Sequence, residues 1–327
     1  MSISRLESLF NPKRVAVFDV SDEEGTRGAE IFKHLVWQGF RGAVYPINSS
    51  QESVFGIETY PSLLSVPKQI DLAVITADPP VWLSQLEECR QKAVQAVMIL
   101  GLDYKNRTKD AEKLSQDLRS FVNRTGIRIL GPNTLGFIRP FFRLNLSLFP
   151  GHIPAGNLAF LSDSATLAAA LLDWIESKNI GLSFFVSLGE KLDVDLADLI
   201  NFLALDPTTK AIVVYLEQIR SGRKFMSAAR AFTRLKPLMV VKAGGLNPKG
   251  DGFLEKLALE ARVYQAAFKR AGVVQVEEVP ELFYVAESLA KQPRPKGSRL
   301  AIITNAGGPS KIAKDTLKKL GEISIFF

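Results

Sequence analysis

The sequence predicts an α/β protein built from doubly wound, mainly parallel sheets. Short β-branched runs alternate with amphipathic segments almost throughout, the pattern of parallel β-α-β units. The alternation occurs twice, on either side of a stretch rich in proline, glycine and phenylalanine. At 46% apolar and 23% charged, 327 residues suffice for two domains with substantial cores and the start of a third.

RVAVFDVS (14–21) reads as the first strand, followed by a helix from about Gly28 to Gly39 and the strand GAVYPIN (42–48). DLAVITA (71–77) precedes a helix from about Pro80 to Lys92. AVMILG (96–101), a helix near Lys109–Asn123 and IRILGP (127–132) close the first set. FIRPFFRLNLSLFPGHIPAG (137–156) reads as a packed linker. A second alternation follows, with strands at NLAFLS, GLSFFVS, KAIVVYLE, LMVVKAG and VVQV. Its helices are an alanine-rich one after Ser164, Leu196–Leu205, one ending at Arg234, Phe253–Ala271 and Pro280–Lys291. QPRPKG (292–297) is a proline-broken hinge. Beyond it the sequence predicts a strand, a Gly-rich turn, a helix and the beginning of another strand. The expected domains are thus 1–140, 151–291 and an incomplete third unit at 298–327.

Composition excludes several function classes. Cys89 is the single cysteine, which rules out an internal disulfide and a Cys-based zinc site. His34 and His152 are the only histidines. Lys and Arg exceed Asp and Glu by 41 − 34 = 7, but these charges are dispersed rather than interleaved with aromatics, so no nucleic-acid partner is expected. A mildly basic chain suits an anionic small ligand. No apolar run reaches the roughly 18 residues of a membrane span, and the N-terminus lacks a secretory core, so a cytoplasmic protein without a membrane partner is expected.

Five motifs bear on chemistry. FDVSDEEGTRGAEIF (18–32) places Ser21, Gly25 and Gly28 where a phosphate-binding turn feeds a helix N-terminus. It departs from the dinucleotide fingerprint at Asp19, and Asp22, Glu23 and Glu24 would repel a diphosphate; an ordinary strand-to-helix turn fits as well. Gly131-Pro132-Asn133 stands at a strand's C-terminal end, the ligand edge of open α/β sheets and equally a plain turn. Ser162-Asp163-Ser164 opens the alanine-rich helix. With no G-x-S-x-G and no base nearby, a helix cap or a phosphate cradle remains. Glu217 ends a buried strand, where a carboxylate orients a catalytic group or merely reaches solvent. Asp193, Asp195 and Asp198 suit capping better than a metal, and no metal site is expected.

Together LESLFNPKRVAVFDVS, FRGAVYPIN, DLAVITADP, RILGPNTLG, LAFLSDSATLAAALLDW, FFVSLGEKLDVDLADLI, YLEQIRSGRKF, KPLMVVKAG, AAFKRAGVVQVEEVPELF and RLAIITNAGGP resemble, in order along the whole chain, the NDP-forming acyl-CoA synthetases. The likeness is to the α part of ADP-forming acetate–CoA ligase, more distantly to the succinyl-CoA synthetase α subunit. It is strongest to the N-terminal part of synthetase–acetyltransferase fusion proteins. The resemblance implies a CoA-binding Rossmann-like domain, a flavodoxin-like domain and the start of a third α/β unit. It also implies coenzyme A or acyl-CoA as the ligand, held by Ser21, Gly25, Gly28, Asn48, Gly131, Pro132 and Asn133. Ser162 and Ser164 correspond to the phosphate cradle and Glu217 to a retained catalytic glutamate.

In the active family acyl-CoA and phosphate give acyl phosphate, and a histidine then carries the phosphoryl group to an ATP-grasp domain. Here the interval VKAGGLNPKGDGFLEKLALEARVYQAAF contains no histidine, and Asn48-Ser49-Ser50 lacks the family's lysine. Asp163 stands where a phosphoryl group is expected and would repel it. The implied function is a CoA- or acyl-CoA-binding module without the phosphohistidine relay. The alternative is an α-like subunit of an ADP-forming acyl-CoA ligase. The implied partners are a CoA thioester and an ATP-grasp subunit or a second copy of the chain. A remnant without CoA binding, serving as a scaffold, is the third option.

Overall fold

The computed structural model describes residues 4–101, 104–107, 110–243, 252–291 and 300–319. The contacts divide it into a unit of residues 1–291 and a second of residues 292–327. In the larger unit, helix α1 (Ser4–Phe10) leads into β1 (Arg14–Phe18), α2 (Arg27–Trp37) and β2 (Ala43–Ile47). A small hairpin of β3 (Ser53–Val54) and β4 (Ile57–Glu58) precedes β5 (Leu72–Ile75), α3 (Trp82–Gln91) and β6 (Ala96–Ile99). The short α4 (Tyr104–Arg107), α5 (Ala111–Thr125) and β7 (Arg128–Leu130) follow. These strands form a five-stranded parallel sheet in the order β2-β1-β5-β6-β7. Each is a short run of branched apolar residues because helices cover both faces and leave no face for polar side chains. Thr26 caps α2, accepting from the Ala29 N–H, and Gly126 ends α5 with a φ of 68°.

The chain then departs from the expected linker. β8 (Gly136–Arg139) and β9 (Leu144–Ser147) form an antiparallel hairpin, and β8 pairs with a strand of the second sheet. Alternation in FIRPFFRLNLS is obscured because both faces of the hairpin are buried, so it reads as irregular. The second sheet continues with β10 (Ala155–Ser162), α6 (Ala165–Ser177), β11 (Leu182–Ser187), α7 (Leu196–Leu205), β12 (Ala211–Leu216) and α8 (Gly222–Thr233). β13 (Leu238–Lys242), α9 (Gly252–Ala271), β14 (Val274–Val276) and α10 (Val279–Lys291) complete it. Its order is β14-β13-β12-β10-β11-β8-β9, parallel except for the hairpin.

One continuous core joins the two sheets. Phe10 packs edge-on against Phe137 and Phe184, each at 5.1 Å, and against Phe202 at 5.2 Å. Leu6, Leu9 and Phe10 are buried while Arg5 and Glu7 are exposed, so α1 inserts one apolar face into this core. In the smaller unit α11 (Gly307–Lys319) matches the expected helix, whereas residues 300–306 do not form the expected strand. A strand needs a ladder partner for its N–H and C=O groups, and none is present among the described residues. The final strand expected beyond residue 319 lies outside the described residues.

Candidate functional site

The parallel strands of each sheet end at one edge, and most of the singled-out residues stand there. After β1 the backbone turns with Asp19 at φ 56° and Gly25 at φ 80°. Ser21 Oγ lies 3.3 Å from Thr26 Oγ1, which caps α2 and donates to the Glu23 carbonyl at 2.9 Å. Gly28 faces the chain just after β1 so closely that a Cβ there would run into the Asp19 carbonyl oxygen. The result is a cleft of about 460 Å³ lined by Asp19, Gly25, Thr26, Arg27, Gly28, Thr76, Ala77 and Leu148. Leu148 follows β9, so the second sheet's hairpin supplies one wall.

The acidic turn is less repulsive than its sequence suggests. Asp19 Oδ2 accepts from Gln85 Nε2 at 2.7 Å, and Asp22 Oδ1 accepts from the Phe55 N–H at 2.6 Å. Arg27, absent from the residues picked out in the sequence, adds a cation to the same cleft and pairs with Asp78 at 2.6 Å. Asn48 Nδ2 donates to the Val20 carbonyl at 2.7 Å, and its Oδ1 accepts from the N–H groups of Ser50 and Gln51. Asn48 therefore shapes the turn, and its side chain is already engaged.

Gly131, Pro132 and Asn133 join the two sheets. Gly131 has φ 92° and Asn133 φ 60°, conformations that favour glycine and asparagine. The Asn133 N–H donates to the Gly101 carbonyl at 3.2 Å, and the Pro132 carbonyl accepts from the Glu190 N–H at 2.8 Å. Thr134 Oγ1 donates to the Ser187 carbonyl. The turn thus ties the C-terminal edge of the first sheet to the loop after β11.

At the second sheet's edge, Ser164 caps α6 by accepting from the Leu167 N–H at 3.3 Å. The buried Ser162 donates to the Ser164 carbonyl at 2.8 Å and holds the cap in place. Asp163, expected from the sequence to repel a phosphoryl group, is engaged by its neighbours. Its Oδ2 accepts from Lys191 Nζ at 2.8 Å and from the N–H groups of Glu217 at 3.0 Å and Gln218 at 3.3 Å. The Asp163 side chain is 1% exposed; these donors all meet Oδ2, and the buried Oδ1 has no hydrogen-bond partner among the described residues. Glu217 is exposed and meets Asp163 through its backbone. Burial, then Glu217 and Asp163, raises the pKa of the neighbouring Tyr215 phenol.

Neither histidine stands beside this edge. The His152 N–H donates to Glu176 Oε1 at 2.6 Å near the C-terminal end of α6, about 20 Å along the helix from Ser164. His34 is buried on α2 and its Nδ1 donates to the Ser147 carbonyl at 2.9 Å, which fixes the neutral tautomer; burial lowers its pKa. Residues 244–251, within the interval where the resemblance places a catalytic histidine, lie outside the described residues, as do the side chains of 252–258.

The aspartates of DVDLADL serve structure. Asp195 caps α7 in a reciprocal box with Asp198, and Asp193 and Asp198 both accept from Arg128. The acidic spacing was visible in the sequence. Arg128, Lys191 and Arg27 carried no local signal, because each meets its carboxylate across 28 to 70 residues.

Residues 13–140 match the CoA binding domain family and residues 155–289 the succinyl-CoA ligase-like flavodoxin domain family. The chain is 37% identical to the α subunit of ADP-forming acetate–CoA ligase I of Pyrococcus furiosus, over 97% of this chain and 70% of that one. It is 35% identical to the ADP-forming acetate–CoA ligase I of Archaeoglobus fulgidus, of which it spans about half, 46%. Among solved structures it resembles the apo dinucleotide-forming acetyl-coenzyme A synthetase 1 of Ca. Korarchaeum cryptofilum. That likeness has a TM-score of 0.89 and 33% identity and covers 98% of this chain and 70% of that one.

Proposed function

The chain belongs to the family of ADP-forming acyl-CoA ligases, and from that membership we propose that it is a CoA- or acyl-CoA-binding protein of the α-subunit type that lacks the phosphohistidine relay. The observation that carries the binding reading is the cleft at the α2 N-terminus. Gly25 is exposed in the turn, Gly28 lets α2 start directly against the Asp19 backbone, and the Arg27 and Gly28 N–H groups at the first helical turn have no intrahelical acceptor. These residues fit the diphosphate of CoA: the turn offers donors, Arg27 offers a cation, and the Asp19 and Asp22 carboxylates each accept a hydrogen bond, from Gln85 and from the Phe55 N–H. Ser21, Gly25, Gly28, Gly131, Pro132 and Asn133 are the proposed ligand-binding residues, with Asn48 supporting the turn.

Loss of the relay is supported by the two histidines, one buried and hydrogen-bonded on α2, the other at the far end of α6 from Ser164. Titration calorimetry of the full chain with CoA, acetyl-CoA and succinyl-CoA tests the binding reading, and no heat with any of them overturns it. Formation of ATP from ADP, phosphate and acetyl-CoA by the chain alone, or phosphorylation of His152, overturns the loss of the relay.

A second reading rests on the relatives named as α subunits. Here the chain works with a partner of ATP-grasp type and retains the first half-reaction. Phosphate oxygen attacks the thioester carbonyl, the C–S bond breaks, and CoA leaves as acyl phosphate forms; no histidine takes part. Ser162, Ser164 and Glu217 are the residues proposed to surround the phosphate. Trapping acyl phosphate as a hydroxamate, with acetyl-CoA and phosphate as reactants, favours this reading over a binding module. As to location, no described helix is long and apolar enough to cross a membrane.

A further inference from the structure

Among the described residues lining the α2 cleft, Arg27 is the only cation. It is the first residue of α2, where its own N–H and that of Gly28 have no intrahelical acceptor, and both residues line the cleft. Its side chain is 22% exposed and pairs with that of Asp78, 48% exposed, at 2.6 Å. A half-exposed pair of this kind contributes little stability, so its arginine can change partners at small cost. Phosphate is the better partner, since two oxygens match the planar fork of donors.

Other polar groups near the turn are committed. Asn48 is occupied by Val20, Ser50 and Gln51. Lys33 lies over the rings of Trp37 and Phe55 at the other end of α2, at 5.8 and 5.4 Å. We propose that Arg27 is the residue that anchors the diphosphate of the ligand, exchanging Asp78 for phosphate oxygens when the ligand enters. Asp78 is the partner that the phosphate oxygens replace. This inference rests on the CoA reading above and adds which residue sets the affinity and for which part of the molecule.

The test uses the full chain and two probes, CoA and dephospho-CoA, which share the diphosphate and differ in the 3′-phosphate. Arg27→Gln is expected to weaken both at least tenfold and by the same factor, and to flatten the salt dependence of binding. Asp78→Asn breaks the same ion pair but frees the guanidinium, and is expected to bind as tightly as wild type or tighter. Equal affinities of wild type and Arg27→Gln overturn the proposal. So does a loss confined to CoA, which moves Arg27 to the 3′-phosphate, or an equal loss in both variants, which makes the ion pair structural. A wild-type chain that binds neither probe removes the CoA reading itself, a result distinct from these.

Discussion

Arg128, on the last strand of the first sheet, donates from Nε to Asp193 at 2.8 Å and from Nη2 to Asp198 at 3.1 Å. One guanidinium thereby grips two carboxylates that belong to the second sheet's connections. Lys224 on α8 closes the network, reaching Asp198 at 2.7 Å and Asp195 at 3.0 Å. Burial disfavours the charge on Arg128, but Asp193 and then Asp198 override it and raise its pKa. Burial likewise pushes Asp198 up, and Lys224 and Arg128 pull it lower than an ordinary carboxyl.

Arg128→Met should therefore destabilise the chain by about 3–5 kcal/mol, because the nearly buried Asp193 loses its cation and Asp198 keeps only Lys224. Urea unfolding measures this. Adding Asp193→Asn should recover part of the loss; a double variant no more stable than Arg128→Met would show that packing, not charge, holds the junction.

The Asp163–Lys191 pair makes a parallel prediction at the second sheet's edge. Lys191→Met leaves a carboxylate that is 1% exposed with two backbone donors only, and should cost about 3 kcal/mol. Asp163→Asn in that background should restore stability by removing the stranded charge. Failure of the second substitution to help counts against a charged Asp163.

Two substitutions probe the α2 cleft from opposite sides. Gly28→Ala drives a Cβ against the Asp19 carbonyl and should weaken CoA binding with a stability loss of roughly 1–3 kcal/mol. Asp19→Gly suits a residue at φ 56° and removes a lining carboxylate; CoA should bind a few-fold tighter, roughly 1 kcal/mol. Calorimetry decides both, and unchanged or weaker binding by Asp19→Gly places the diphosphate elsewhere.

His34 predicts a pH effect of definite sign. Its folded pKa lies below the unfolded value of 6.5, so between the two the unfolded chain binds more protons. Stability should fall as pH drops below about 6.5, by at most ~1.4 kcal/mol per pH unit from this one group. Asp198, with its lowered carboxyl pKa, acts in the acid range instead, losing its contribution as pH falls through that pKa. In His34→Gln the slope between pH 7 and 5.5 should flatten relative to wild type, as measured by urea midpoints. An identical slope assigns the titration to other groups.

Much of the fold was legible because it follows from local patterns. Branched apolar runs such as RVAVF and AIVVYL must be buried on both faces, and the helices between them then have to cross over. The 137–147 hairpin was not legible, since its residues are buried on both faces and its register depends on a strand, β11, that comes later in the chain. The strand expected at 300–306 failed for the complementary reason: apolar residues such as Ile303 make a strand only when a neighbour accepts their hydrogen bonds.

By itself the sequence determined two α/β units, the family, the positions of the glycine turns and the scarcity of histidine. Those are properties of segments or of composition. Tertiary structure alone decided what the charged residues do: Asp19 turned to Gln85, Asp163 locked by Lys191, and Arg27 placed in the cleft. The physical reason is that a charge acts over a few ångströms of space, and which residues share that space is settled only when the sheets pack.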